Sequence, residues 1–209
     1  MDENLRGLYV ITDDGLTPPA SILQQVEAAL RGGAKIVQLR DKRSPDAQIA
    51  ETALALDMLC KEHGALFVLN DKVDMAVDLR LSGLHIGKSD HERVDEIRKK
   101  FDGCLGVSCY GDLSLAKTMQ DKGVDYVAFG SFFHSPTKPD SNIIDLELLS
   151  RAKALLDIPV CAIGGLNRDN SDTVMAHQPD SIALISDIWK CDDIESRCRY
   201  YADFFKEEI

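Results

Sequence analysis

No apolar run in the sequence is long. Stretches such as Tyr126–Phe129 and Ile182–Ile185 fall far short of the ~20 residues of a membrane helix, so no membrane partner is expected. No basic segment followed by an apolar core opens the chain, so no secretory signal is expected either. The six cysteines (Cys60, Cys104, Cys109, Cys161, Cys191, Cys198) contain no Cys-x-x-Cys pair. Three of them fall in predicted strands or at their ends. That pattern argues against a structural zinc site or a disulfide framework and points to a reducing cytoplasm. Positive charge is scarce: 24 Lys and Arg face 35 Asp and Glu, for a net charge of −11. With no long basic patch, nucleic acid is not an expected partner. Any anion must be held by local donors against an unfavourable overall field.

Short apolar runs alternate with amphipathic segments from end to end. Leu8–Thr12, Ile36–Arg40, Leu66–Asn70, Leu84–Ile86, Cys104–Ser108, Tyr126–Gly130, Pro159–Gly164 and Ser181–Ser186 read as strands. Between them lie helical stripes, such as Ile22, Val26, Ala29 and Leu30, or Ile49, Ala53, Leu56 and Cys60. Gly32-Gly33 and Gly64 end the first two helices, and Ser44-Pro45 opens the second as N-cap and first turn. Leu113–Lys122 reads as the helix after the fifth strand, and Ile194, Cys198, Tyr201 and Phe205 mark the last. Strict alternation of this kind predicts an α/β fold: a single (β/α)₈ TIM barrel over residues 1–209, forming one catalytic domain. A doubly wound open sheet is the alternative, weakened by the lack of Gly-x-Gly-x-x-Gly after the first strand.

Such barrels place their chemistry where strands end. Period two puts Gln38, Arg40 and Lys42 on one side of an extended segment, two cations and an amide that suit a polyphosphate. They could equally form an inward layer paired with acidic neighbours. Asn70 and Asp71 follow the third strand, and Lys88, Ser89 and Asp90 the fourth. On adjacent strands, Asp71 and Asp90 can converge as Mg²⁺ ligands, or each can cap the helix after it. The fifth strand ends at Ser108, with Cys109 and Tyr110 following; no triad is indicated, and Cys109 reads as a small buried thiol. The loop after the sixth strand carries Ser135, Thr137 and Lys138, a lid or anion clamp. Gly164-Gly165 after the seventh strand and Ile185-Ser186 after the eighth fit a phosphate site.

Taken in order, these motifs resemble the thiamine-phosphate synthase (thiamine-phosphate pyrophosphorylase) family. The likeness runs from Tyr-Val-Ile-Thr-Asp (9–13) through Gln-Leu-Arg-Asp-Lys (38–42), Asn-Asp-Lys-Val-Asp-Met-Ala (70–76) and Gly-Leu-His-Ile-Gly (83–87). It continues through Gly-Val-Ser (106–108), Thr-Lys-Pro-Asp (137–140), Ile-Gly-Gly-Leu (163–166) and Leu-Ile-Ser (184–186). The resemblance implies a transferase that joins hydroxymethylpyrimidine pyrophosphate to thiazole phosphate and releases pyrophosphate. It implies that Gln38, Arg40, Lys42, Asn70, Ser108 and Lys138 hold the pyrimidine pyrophosphate, with Arg40, Ser108 and Lys138 as the catalytic set. Asp71 and Asp90 would bind Mg²⁺, and Ser135, Thr137, Gly165, Ile185 and Ser186 the thiazole phosphate. Lys88 stands where the family usually has Gln, Cys109-Tyr110 where a His is near, and Asp187 where Ala is usual. An outward, helix-stabilising pose is expected for Asp187.

Small molecules are therefore the expected partners, in the cytoplasm, with a homo-oligomer left open. Three other functions compete. A thiazole tautomerase-like isomerase of the same superfamily would need no pyrophosphate clamp. A non-catalytic barrel that binds a thiamine precursor would show similar donors without turnover. An aldolase or isomerase would need a Schiff-base lysine or a Glu/His pair at the strand ends, and none is found.

Overall fold

The computed structural model describes residues 5–134 and 142–206. Eight strands close into a parallel barrel in chain order: β1 (Gly7–Ile11), β2 (Ala34–Leu39), β3 (Leu66–Asn70), β4 (Gly83–Ile86), β5 (Cys104–Tyr110), β6 (Tyr126–Phe129), β7 (Val160–Ile163) and β8 (Ser181–Leu184). The open-sheet alternative is thereby excluded. Helices α1 (Ile22–Arg31), α2 (Asp46–Glu62), α3 (Val73–Asp78), α4 (Val94–Lys100), α5 (Leu113–Asp121), α6 (Glu147–Leu155) and α7 (Ser171–Met175) follow the first seven strands. Two helices follow the last, α8 (Ser186–Trp189) and α9 (Ile194–Ala202). Among the described residues no helix is long and apolar enough to cross a membrane.

Both faces of a barrel strand are covered, which is why the strands read as unbroken apolar runs. All five residues of β1 are buried. Alternate side chains serve two cores: Leu8 and Val10 pack outward against the helices, while Tyr9 and Ile11 turn inward beside Ile36, Val68, Tyr126 and Ala183. Gly106 makes room for this inner layer, because a Cβ there would lie 2.0 Å from the Tyr126 ring.

Three carboxylates stitch the end of the barrel where the strands begin. Asp180 accepts from Lys153 Nζ at 2.6 Å and from the Val160 N–H at 2.8 Å. Asp125 accepts from Arg98 and the Leu105 N–H, and Asp57 from Lys61 and the Ser82 N–H. Each satisfies a backbone donor at or near a strand start and pairs it with a cation from a helix, so this end is built for stability.

Local differences from the sequence reading have simple causes. The N-cap of α2 is Pro45, with no side-chain capping bond; the Ser44 N–H instead donates to Asp41 Oδ1. Strand β5 runs on through Cys109 to Tyr110, so Ser108 lies inside it, where the pairing with β6 shifts register. Strand β8 ends at Leu184 and gives way at once to α8. A four-residue helix is too short to show a 3.6-residue period, so sequence periodicity passes over it.

Candidate active site

The ends of the strands surround a cavity of about 1120 Å³. That exceeds the roughly 300–1,000 Å³ of ordinary single-ligand pockets and leaves room for two small molecules side by side. Gln38, Arg40, Asn70 and Ser108 line it on one side, and Gly165, Ile185 and Ser186 on the other. The expected substrate residues that are described thus gather in one place, apart from Lys42. Ser135, Thr137 and Lys138 lie outside the described residues.

Arg40 leaves β2 with its N–H bonded to Thr12 Oγ1 at 2.9 Å, which ties its position to the end of β1. Lys42 departs from the expected alternation, because β2 ends at Leu39. It sits at the rim, its Nζ 3.7 Å from Asp71 Oδ2. Besides Arg197, which pairs with Asp187, three cations line the cavity: Arg40, Lys88 and Lys190. Among the described residues no carboxylate ion-pairs with any of them. In a chain of net charge −11, cations left without counter-ions beside a cavity mark it as an anion site. Sequence reasoning treated Lys88 only as a departure and missed Lys190, because it missed α8.

Neither candidate metal ligand caps a helix. The N-cap of α3 is Lys72, without a side-chain bond. Asp71 itself has φ 63°, a left-handed conformation that Asp and Asn tolerate better than most residues. Its Oδ2 accepts from Asn70 Nδ2 at 2.7 Å. Asp90 lies in a 3₁₀ turn, Lys88–Arg93, that also lacks a capping bond. Arg93 Nη1 holds its Oδ1 at 2.8 Å, and Ser89 Oγ holds its Oδ2 at 2.8 Å. Both residues flank Gly87: Asp71 Oδ1 lies 3.9 Å from where a Cβ at Gly87 would stand, and the Asp90 N–H donates to the Gly87 carbonyl. The Tyr110 hydroxyl reaches the same spot from β5, 3.7 Å from that Cβ position.

Across the cavity, the backbone is shaped for close approach. Gly164 and Gly165 have φ 108° and 67°. A Cβ would meet Ser131 at 2.3 Å in the first case and the His134 carbonyl at 2.4 Å in the second. Asn170 Nδ2 fixes the loop by donating to the Gly165 carbonyl. Ile185 is the N-cap of α8 and no side chain caps it, so the first N–H groups of that turn can serve an anion. Trp189 anchors the turn, its indole N–H donating to the Ile11 carbonyl at 2.6 Å.

Asp187 turns its carboxylate to α9, where it accepts from Arg197 Nη1 at 2.7 Å and the Tyr201 hydroxyl at 2.5 Å. The expected outward role was helix capping; the side chain instead ties α8 to α9, and Arg197 neutralises it. Cys109 is fully buried, and burial pushes its thiol up to about 12, so it is not a nucleophile at neutral pH.

The model of the thiamine monophosphate synthase family matches residues 8–188. The chain belongs to this family. It is 40% identical over 209 residues to a thiamine-phosphate synthase of Acidithiobacillus ferrooxidans, covering 98% of this chain and 96% of that one. It is 42% identical over 189 residues to one of Wolinella succinogenes, covering 90% and 87%. Among solved structures, a thiamine phosphate pyrophosphorylase from Pyrococcus furiosus superposes with a TM-score of 0.85 at 34% identity, covering 97% of this chain and 96% of that one. Family membership gives the paired features of the cavity, unpaired Arg40 and Lys88 at one side and the glycine turn with α8 and Lys190 at the other, a common purpose.

Proposed function

We propose that this protein is a thiamine-phosphate synthase. It transfers the methylene of 4-amino-2-methyl-5-hydroxymethylpyrimidine pyrophosphate to the ring nitrogen of 4-methyl-5-(2-phosphoethyl)thiazole. The C–N bond forms, the C–O bond to pyrophosphate breaks, and the electron pair of that bond leaves with the pyrophosphate. The observation that carries this reading is one cavity lined both by Arg40 and Lys88, cations without a carboxylate partner among the described residues, and by the turn at Gly165 with Ile185 and Ser186 at the start of α8.

The thiazole nitrogen carries no proton, so the site needs no general base, and none of the triad type is assembled among the described residues. What remains is to neutralise the leaving group, align the two substrates and exclude water. Arg40, with Lys42 at the rim, meets the charge that builds on the pyrophosphate, and Ser108 supplies a hydroxyl beside it. Lys138 is assigned to the same group from its motif. Gly165, Ile185 and Ser186 hold the phosphate of the second substrate through backbone and hydroxyl donors, and Ser135 and Thr137 are assigned there from their motif.

Magnesium fits the donor set. Mg²⁺ is usually held by one or two carboxylates, with waters and substrate phosphate completing the shell. Two carboxylates flanking Gly87, Asp71 exposed and Asp90 buried, meet that requirement. Among the described residues no group of three His, Cys, Asp or Glu side chains gathers, so the remaining positions fall to substrate and water. When bound, Mg²⁺ would supply charge neutralisation of the pyrophosphate.

The deciding experiment is incubation of the pure protein with both substrates and Mg²⁺. Thiamine phosphate and pyrophosphate should form only when all three are present. Tautomerisation of a thiazole carboxylate without coupling would overturn the assignment and favour the isomerase. Binding of either substrate without turnover would favour a sensor. A cytoplasmic location follows from a biosynthetic role of this kind.

Asp187→Ala should change the affinity for thiazole phosphate by less than about tenfold, ~1.4 kcal/mol. Its charge is already neutralised by Arg197 and directed at α9. Thermal stability should fall, because Arg197 and Tyr201 lose their acceptor. Calorimetric titration and a melting curve read the two effects separately. A much larger gain in affinity would mean that the carboxylate repels the phosphate.

A further inference from the structure

The floor of the cavity is a chain of five polar side chains from five strands. Gln38 Nε2 donates to the Tyr9 hydroxyl at 2.6 Å. The Tyr9 and Tyr126 hydroxyls are 2.9 Å apart. Tyr126 Oη lies 2.9 Å from His85 Nδ1, and His85 Nε2 lies 2.8 Å from Ser108 Oγ. Gln38, Tyr9, Tyr126 and His85 are all buried, and both ends of the chain, Gln38 and Ser108, open to the cavity.

A hydroxyl has one proton to give, so every link of the chain is made with no proton left over when each hydroxyl accepts one link and donates the next. Gln38 donates to Tyr9, and in that arrangement the Tyr9 proton goes to Tyr126. The Tyr126 proton then goes to His85, which requires Nδ1 to be bare and the imidazole proton to sit on Nε2. Nε2–H donates to Ser108 Oγ, and the Ser108 proton is left to point away from His85. Burial pushes both phenols far above their ordinary titration range, so neither drops out of the chain by ionising. The reverse polarity would leave the Tyr9 oxygen accepting from both Gln38 and Tyr126, with its own proton outside the chain. It would make Ser108 give its proton to His85 and present a lone pair to an anion, beside Arg40 in a site built for negative charge.

We propose that Tyr9 and Tyr126 are positioning residues for the pyrophosphate end of the site. The chain they close holds His85 as the Nε2–H tautomer and makes Ser108 a hydrogen-bond donor to a pyrophosphate oxygen. This rests on reading that end as the pyrophosphate site. His91 steadies the same residue from the other side, its Nε2 donating to the Ser108 carbonyl at 3.0 Å. Tyr126 lies outside the cavity lining and acts through His85; Tyr9, which also lines the cavity, acts here through Tyr126. Because the links polarise one another, the middle of the chain matters at its end.

The test has two arms, both on the full chain and neither needing turnover. In the first, long-range ¹⁵N–¹H spectra of histidine-labelled protein, with the His85 signal assigned from its loss in His85→Gln, should show the Nε2–H tautomer. Tyr126→Phe should convert it to a mixture, whereas Tyr9→Phe, which leaves the Tyr126 proton available, should largely keep it. An Nδ1–H tautomer in the unmodified protein would overturn the proposal. In the second arm, inorganic pyrophosphate is titrated in the presence of Mg²⁺. Tyr126→Phe should weaken binding about 10-fold, within the range for a lost hydrogen bond to a charged group. In a Ser108→Ala background the same change should shift binding by less than about twofold, because coupled residues do not add. Additive effects would mean that Tyr126 acts only through packing, and would sink the proposal. Failure to form thiamine phosphate would count against the function above and would leave both of these readouts intact.

Discussion

Asp71→Asn should lower turnover by about 10²–10³-fold, the size expected when one preorganised charge partner of a transition state is lost, while the fold stays intact. The substitution is close to isosteric. Asn is also well suited to φ 63°, since it visits the left-handed region more readily than most residues. Asn70 Nδ2 keeps an oxygen to bond. The Lys42 pair, 3.7 Å long with both side chains substantially exposed, is of the kind that contributes about 0–1 kcal/mol. Stability therefore barely moves, and any loss of rate reports on charge. The loss should be accompanied by a higher Mg²⁺ requirement, measured by titrating the metal at fixed substrate. A fall in melting temperature with near-normal turnover would show that Asp71 is structural and that the metal lies elsewhere.

The barrel was legible in the sequence because its signal is redundant. Eight apolar runs, each followed by an amphipathic stripe, point the same way, and a slip of one or two residues in any of them changes nothing. Residues at strand ends were legible for a related reason: once the topology is known, the ends of β2, β3, β5, β7 and β8 are the cavity. What escaped notice depends on contacts far apart in the chain or on elements without a period. His85 and Tyr126 read as ordinary strand positions, because an inward-facing polar layer looks the same as an apolar one until the partner is known. Tyr9 and Tyr126 meet across 117 residues of sequence. Helix α8 carries Lys190 at its end, but four residues show no stripe. The capping role considered for Asp71 and Asp90 and the role expected of Ser44 failed for one reason. Short polar side chains near a helix start have several acceptors and donors within reach, and nearby cations and turn N–H groups outcompeted the cap.

At the opposite end of the barrel, Asp180→Ala should cost stability and spare the chemistry. The carboxylate is buried, with both oxygens on Lys153 Nζ at 2.6 Å and one also accepting the Val160 N–H. Its own backbone continues the seam, accepting from the Gly7 N–H and donating to the Val160 carbonyl, so the residue joins the starts of β1, β7 and β8. Alanine keeps those backbone bonds but leaves the Val160 N–H without its side-chain acceptor and Lys153 without its counter-ion. Breaking a buried pair costs roughly 3–5 kcal/mol. Lys153 keeps 29% of its side-chain exposure and can recover some hydration, which places the expected loss near ~3 kcal/mol. For a chain of this size that lowers the melting temperature by roughly 6–12 °C. Asp180→Asn should fall between, since it keeps an acceptor for Val160 but loses the charge. Turnover at 25 °C should remain within about twofold, because the strand starts of a barrel carry stability and the strand ends carry chemistry. A large loss of turnover in protein that still melts cooperatively would show that the two ends are coupled through β7 and β8. An unchanged melting temperature would show that the Lys153 pair contributes nothing net.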